Sequence, residues 1–215
     1  MPWRLLAGVA EEEVRQLKSV ARRRRFARTE VVFHQGDPAD SMHLIESGRF
    51  VLSVAAPRGN TTALAVLGAG DAFGEMALVE EHHVRSATVA ALEAAETWAL
   101  YRTDFHRLRA EHPAVNEILM QLLAARVRVM NQRLVEALYL EAEARIRSRL
   151  ADLAKIYAHA GETEALIPLT QGQLAELAGT SRATVNRVLR EDASRGLVLL
   201  RRGRIIVCRG VDEAS

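Results

Sequence analysis

Cysteine occurs once in the chain, at Cys208, which excludes an intramolecular disulfide and any iron–sulfur cluster held by several cysteines of one chain. Lysine is almost missing. Apart from Lys18 and Lys155 the 29 basic residues are all arginine, a skew that points to a G+C-rich coding bias more than to a function. No stretch approaches the roughly 20 apolar residues that a membrane-spanning helix needs. Glu11, Glu12 and Glu13 follow a short apolar opening, so a signal peptide's long apolar core is lacking and a cytoplasmic location is expected. Also lacking are a nucleophile–base constellation and a metal-ligand spacing such as H-x-x-x-H, which argues against an enzyme and against a metal site.

What is there is an ordinary globular composition, 49% hydrophobic and 26% charged over 215 residues, enough for one large domain or two modest ones. The net charge of +2 and a pI near 9.0 are compatible with nucleic acid without demanding it. Residues 4 to 21 alternate apolar and charged positions at helical spacing, with Leu5, Leu6, Val9, Val14, Leu17 and Val20 available for an inner face. This predicts a short helical lead-in. Arg22 to Arg25 form a basic run, read as a solvated edge before a strand, with contact to nucleic acid as the alternative.

From Arg28 the pattern changes to short strands with turn signals. Gly36-Asp37-Pro38, Ser47-Gly48, Arg58-Gly59-Asn60 and Gly68 to Asp71 are turns, and Val31 to Phe33, Met42 to Ile45, Phe50 to Val54 and Thr62 to Leu67 read as strands between them. Such spacing argues a β-sandwich or barrel. The stretch that follows, Asp71 to Ala87, reads DAFGEMALVEEHHVRSA. It sets Gly74 and Glu75 ahead of an Arg85-Ser86 pair, between two β-like runs, with Ala77 and Leu78 opening a short helical turn. A glycine lets backbone N–H groups approach a phosphate, arginine offers a planar fork of donors, serine adds another, and Glu75 can accept from a sugar hydroxyl.

The whole string resembles the phosphate-binding cassette of the cyclic-nucleotide-binding domain, in the form found in the catabolite activator (CRP/FNR) family of bacterial transcription regulators. The segment FHQGDPADSMHLIESG also resembles the glycine-marked turns of that family's β-roll, and the likeness covers about residues 30 to 209. The resemblance implies that Glu75 takes the ribose 2′-hydroxyl and that Arg85 and Ser86 take the cyclic phosphate. Gly74, Met76, Ala77 and Ala87 would complete the cradle. The lone Cys208 excludes the cluster-type oxygen sensing of some members.

Ala87 to Ala91 and Thr97 to Leu100 supply closing strands, Arg102 to Ala110 a short helix, and His112-Pro113 a break. Val115 to Leu140 contains neither Gly nor Pro and predicts one helix of roughly 39 Å. Leu119, Leu123, Val127, Met130, Leu134 and Ala137 recur every three or four residues along it, a coiled-coil-like seam that a parallel homodimer would cover. The resemblance implies the same dimerisation helix, with the nucleotide between cassette and seam and Met130 and Asn131 facing the base. Methionine offers a base amine no useful bond, whereas Asn131 can donate and accept. Weak binding of cyclic AMP, or little discrimination over cyclic GMP, is therefore expected.

The C-terminal part begins with a helical run from Glu141 to Ala158, and Glu162 to Leu166 is read as a loop. Thr170-Gln171-Gly172-Gln173 fits a capping box opening a helix Gln171 to Ala178. Gly179-Thr180-Ser181 makes a turn, and Arg182 to Ser194 a second helix. Ala175, Gly179 and Val185 stand where a helix-turn-helix needs a small residue, a permissive turn and an apolar anchor. A hairpin from Leu197 to Val207, turned at Gly203 and carrying Arg201, Arg202 and Arg204, completes a winged helix. Residues 170–209 hold eight arginines against Glu176, Glu191 and Asp192, an electrostatic footprint for double-stranded DNA. Thr170, Arg182, Ala183, Asn186, Arg187 and Arg202 are the expected contacts. Arg182 and Arg187 match the family's base-reading arginines, while Ala183 stands where many relatives carry a glutamate that accepts from cytosine.

The expected fold is thus α+β: a β-roll over residues 1–112, a dimerisation helix over 113–140 and a winged helix-turn-helix over 141–215. The expected function is a homodimeric regulator of a palindromic DNA site with half-sites on the order of 34 Å apart, controlled by a cyclic nucleotide and without an obligatory cofactor. RNA polymerase is the further partner, through the Ala158 to Glu164 loop that matches the family's main contact. Two alternatives keep the DNA function, an effector-independent pocket and a haem-type sensor with an axial histidine, for which the His82-His83 pair is the nearest feature.

Overall fold

The computed structural model describes residues 11–55, 61–79, 84–113, 115–158, 164–201 and 203–208. Its contacts form two compact units, Met1–Thr61 with Ala65–Asn131, and Gln132–Ser215 with Thr62–Leu64. The first unit opens with helix α1 (Glu11–Val20), whose Leu17 is buried and whose Val14 and Val20 pack against the same cluster. The expected positions Leu5, Leu6 and Val9 lie outside the described residues. Strands β1 (Arg22–Phe26), β2 (Val31–Phe33), β3 (Ser41–Ser47), β4 (Phe50–Ala55), β5 (Thr61–Leu67) and β6 (Ala72–Phe73) follow. After a 3-10 turn (Glu75–Leu78) come β7 (Thr88–Ala91) and β8 (Ala95–Tyr101), then helices α2 (Arg102–Glu111) and α3 (Val115–Tyr139).

Two antiparallel four-stranded sheets result, ordered β1-β8-β3-β6 and β2-β7-β4-β5. Their facing sides close over Phe26, Ile45, Phe50, Phe73, Val89 and Ala91. The other side of the first sheet is covered by helices, where Met42, Leu44 and Leu100 meet Leu17, Phe105, Leu108, Val115, Ile118 and Leu122. The period of two along a strand explains why β3 is buried from Ser41 through Ile45: Met42 and Leu44 point to one cluster, Ile45 to the other.

The arginine run is not the approach to a strand but strand β1 itself. It pairs with β8 at the sheet edge, where Glu96 accepts from both Arg23 and Arg25, and opposite charge across the pair offsets the poor strand propensity of four arginines. The short turn likewise starts at Glu75, two residues before the expected opening at Ala77.

In the second unit, α4 (Ala142–Tyr157) precedes strand β9 (Glu164–Ile167), helices α5 (Gln171–Ala178) and α6 (Arg182–Ser194), and strands β10 (Val198–Arg201) and β11 (Arg204–Cys208). The expected loop over 162–166 is corrected here. Residues 164–167 form β9, which pairs with β11 in a three-stranded sheet ordered β10-β11-β9. Its alternation of exposed Glu164 and Leu166 with buried Ala165 and Ile167 is that of a strand with one face on the core. Ile146, Leu150, Leu174, Val185, Val188, Leu189 and Ile205 fill that core.

Candidate functional sites

The cassette is built on the backbone conformation of Gly74, which takes φ 81° before the 3-10 turn. A Cβ there would come within 2.8 Å of Arg85 Nη1 and 3.0 Å of the Ser41 carbonyl oxygen, so side chain and turn leave room for glycine alone. Arg102 holds the turn from outside, donating to the Ala77 and Ala39 carbonyls, each at 2.5 Å. Glu75 is 8% exposed, and its Oε1 accepts from Arg126 Nε of α3 at 3.1 Å, while Arg126 Nη2 donates to the Ala72 carbonyl at 2.9 Å. Ala77 and Ala87 are buried, Met76 is half-buried and Ser86 is exposed.

Arg85 is 5% exposed, its guanidinium stacked over the Phe33 ring at 4.0 Å. Nη1 donates to the Ser41 carbonyl at 2.5 Å, and Nη2 to Ser41 Oγ at 3.1 Å and Asp40 Oδ1 at 3.3 Å. Burial pushes its pKa down, opposed by the Asp40 and Asp37 carboxylates. Two buried atoms of this cradle, Glu75 Oε2 and Arg85 Nε, have no hydrogen-bond partner among the described residues. Buried polar atoms are nearly always paired, and leaving one unpaired costs about 1–3 kcal/mol.

Gly74, Glu75, Ala77 and Arg85 are thus gathered in one cradle. Met130 and Asn131 are exposed on α3, one turn beyond Arg126. Arg126 itself was not legible as a site residue, being one of several arginines in the helix. Its only signal is the spacing of four from Met130, which puts both on one helical face. His82 and His83 lie outside the described residues.

The nucleic-acid site rests on two capped helices. Thr170 Oγ1 accepts from the Gln173 backbone N–H while Gln173 Oε1 accepts from that of Thr170, and Gly179, at φ 60°, ends α5 in the left-handed conformation. Ser181 caps α6 by accepting from the Thr184 N–H at 3.1 Å. Arg182 and Ala183 are exposed in the first turn of α6. Asn186 is only half exposed and donates to Gln171 Oε1 at 3.0 Å, so its side chain ties α6 to α5. Arg187 is exposed and pairs through Nη2 with Glu143 Oε1 of α4 at 2.8 Å. Arg201 and Arg204 are exposed on the hairpin, and Arg202 lies outside the described residues.

Residues 23–112 match the cyclic nucleotide-binding domain, and residues 132–210 match the Crp-like helix-turn-helix domain. These two matches define a DNA-binding transcription regulator that carries a cyclic nucleotide-binding domain. The chain is 37% identical over 206 residues to the cyclic AMP receptor protein of Thermus thermophilus, covering 94% of this chain and 91% of that one. It is 29% identical over 177 residues to the CRP-like cAMP-activated global transcriptional regulator of Mycobacterium tuberculosis, covering 81% and 79%. Among solved structures, the catabolite activator protein of Thermus thermophilus matches with 35% identity, 97% and 96% coverage and a TM-score of 0.56. The c-di-GMP responsive regulator CLP of Xanthomonas campestris shares the fold, with 24% identity, 94% and 100% coverage and a TM-score of 0.77. The chain belongs to the CRP/FNR family of transcription regulators, which are not enzymes.

Proposed function

We propose that the protein is a cytoplasmic homodimer whose affinity for a palindromic DNA site is set by a cyclic nucleotide, cyclic AMP or cyclic GMP, bound against Glu75, Arg85 and Ser86. The observation that carries this reading is the pair of buried atoms without partners in the cassette, Glu75 Oε2 and Arg85 Nε. One is an acceptor and the other a donor, the complement of a ribose hydroxyl and a phosphate oxygen. The Thermus cyclic AMP receptor protein and the cAMP-activated Mycobacterium regulator, both tied to cyclic AMP by name, agree with that chemistry.

Glu75 already joins the cassette to α3 through Arg126, so a hydroxyl placed on its second oxygen bears on the helix that carries the seam. Met130 and Asn131, further along α3, face the base. The effector must bind the DNA-competent arrangement more tightly than the other, or it shifts nothing. On the DNA, Arg182 and Arg187 read base edges, Ala183 offers apolar contact to a thymine methyl, and Thr170 and Arg202 hold the backbone. RNA polymerase is contacted through the segment from Ala158 to Glu164, of which residues 159–163 lie outside the described residues.

Calorimetric titration of the purified protein with cyclic AMP and cyclic GMP, on wild type and Arg85→Leu, tests the pocket. Loss of charge-assisted bonds at Arg85 should cost at least ~1.5 kcal/mol, a tenfold or larger rise in Kd, in a protein that still folds. Equal affinity of the two proteins would place any nucleotide elsewhere.

One observation favours a second reading, an effector-independent regulator: both terminal nitrogens of Arg85 are already satisfied by Ser41 and Asp40. Site-specific DNA binding by a protein that takes up neither nucleotide would decide for it.

A further inference from the structure

Two ion pairs run between α4 and α6 like rungs. On α4, Glu143 and Arg147 are four residues apart and share a face; on α6, Arg187 and Asp192 answer them with the charges reversed. The inner rung is firm. Arg147 Nε and Nη2 donate to Asp192 at 3.0 to 3.3 Å, and the Asp192 side chain is 3% exposed. Glu191 adds a second carboxylate at 3.7 Å from Arg147 Nη2. Because Asp192 is buried and bonded to two nitrogens of Arg147, this rung fixes how α6 lies along α4, and so fixes the outer rung one turn away.

The outer rung is Glu143 with Arg187, at 2.8 Å, with Arg187 60% exposed. It lies on the same helix as the exposed Arg182 and Ala183. We infer that Glu143 is a positioning residue for DNA readout: its carboxylate holds the Arg187 guanidinium extended and oriented, so that the remaining donors of the fork meet a base edge. This inference rests on the reading of Arg187 as a base contact.

The chemistry has two opposed consequences. A free arginine loses most of its rotamer freedom when it docks two donors on a guanine, and a carboxylate that restrains it beforehand reduces that loss. The same carboxylate brings a negative charge towards the phosphates, which weakens binding to every sequence alike. Glu143 therefore lowers overall affinity while raising discrimination at one base pair. A carboxylate in the first turn of α4 also faces that helix's positive end, a stabilising role that would leave base preference untouched.

The experiment compares wild type, Glu143→Ala and Arg187→Ala, after thermal unfolding has checked that each folds. Binding is measured to the selected palindrome, to the palindrome with the base pair read by Arg187 changed, and to unrelated duplex. In Glu143→Ala, binding to unrelated duplex should tighten while the preference for the correct base pair falls on the order of fivefold. Arg187→Ala should remove that preference. A preference unchanged in Glu143→Ala but lost in Arg187→Ala would overturn the positioning role alone. A preference unchanged in Arg187→Ala would overturn the reading of Arg187, and the inference with it.

Discussion

His43 stands where the interior of the β-roll would accept another phenylalanine. Its ring stacks on Phe73 at 5.0 Å, meets the edge of Phe26 at 6.1 Å, and brings Nδ1 to 2.9 Å from Thr97 Oγ1. Burial, and after it the positive charge of Arg85, depress its pKa to about 3 from an ordinary 6.5. The unfolded chain then binds a proton near pH 6.5 that the folded chain refuses until about pH 3. His43 stability is accordingly complete above about pH 6.5, and falls by about 1.4 kcal/mol per pH unit through that window. Urea unfolding at pH 7 and pH 5 should differ by about 2 kcal/mol from this residue alone. In His43→Phe that difference should disappear, although the stranded Thr97 hydroxyl lowers stability at both pH values by about 1–3 kcal/mol. An unaltered pH slope in the variant would locate the titration elsewhere. For the candidate effector site the consequence is that His43 adds no charge beside Arg85 in mild acid.

At the scale of elements, the junction of α3 and α4 is held by a buried carboxylate. Glu136, near the end of α3, accepts from Arg149 and from Ser148 Oγ at 3.1 Å, both on α4, and from Gln132 Nε2 at 3.2 Å. Arg149 is buried as well and keeps a second carboxylate, Asp152, at 2.8 Å. Removing one member of a buried pair leaves the other uncompensated. Glu136→Ala should therefore destabilise the second unit by about 3 kcal/mol, the lower end for such pairs because Asp152 remains. Replacing both, with Glu136→Leu and Arg149→Met, should cost less than the single change, and chemical unfolding of the three proteins checks the order. If the double variant is the least stable, the pair contributes net stability instead of merely requiring its partner.

Legibility in the sequence followed the range of the interactions. Helices α5 and α6 stand at the bounds their caps announce, because Thr170 with Gln173 and Ser181 act within one turn of chain. Strand β9 and the arginine strand β1 could not be read in that way. Each exists by virtue of a partner far along the chain, β11 for one and β8 with Glu96 for the other. The candidate effector site divides similarly. Gly74, Glu75 and Arg85 announce themselves as one motif, whereas Arg126 on α3 and the Ser41 and Asp40 acceptors of Arg85 join it only through the fold.

For the molecule as a whole, the deciding surface is the free face of α3. Val115, Ile118 and Leu122 bury one side of the helix in the helical cluster over the first sheet. Leu119, the first position of the expected seam, is half-buried and packs against the same cluster. Beyond it Val127, Met130 and Leu134 are 55%, 66% and 58% exposed in the single chain, and they fall at the spacing of a coiled-coil seam. A run of large apolar side chains in water over several turns is costly, and a second copy of the same helix is the partner that a homodimer supplies. Leu134→Glu places a like charge on both faces of such a seam. On the proposed homodimer, sedimentation should report a dimer for the wild type and a monomer for this variant. With only one recognition helix available, binding to a palindrome should fall to that of a half-site, since the second site no longer binds at high effective concentration. Folding should be unaffected, because the substituted side chain is exposed in the single chain. A variant that stays dimeric and retains its preference for the palindrome would show that the subunits meet on another surface.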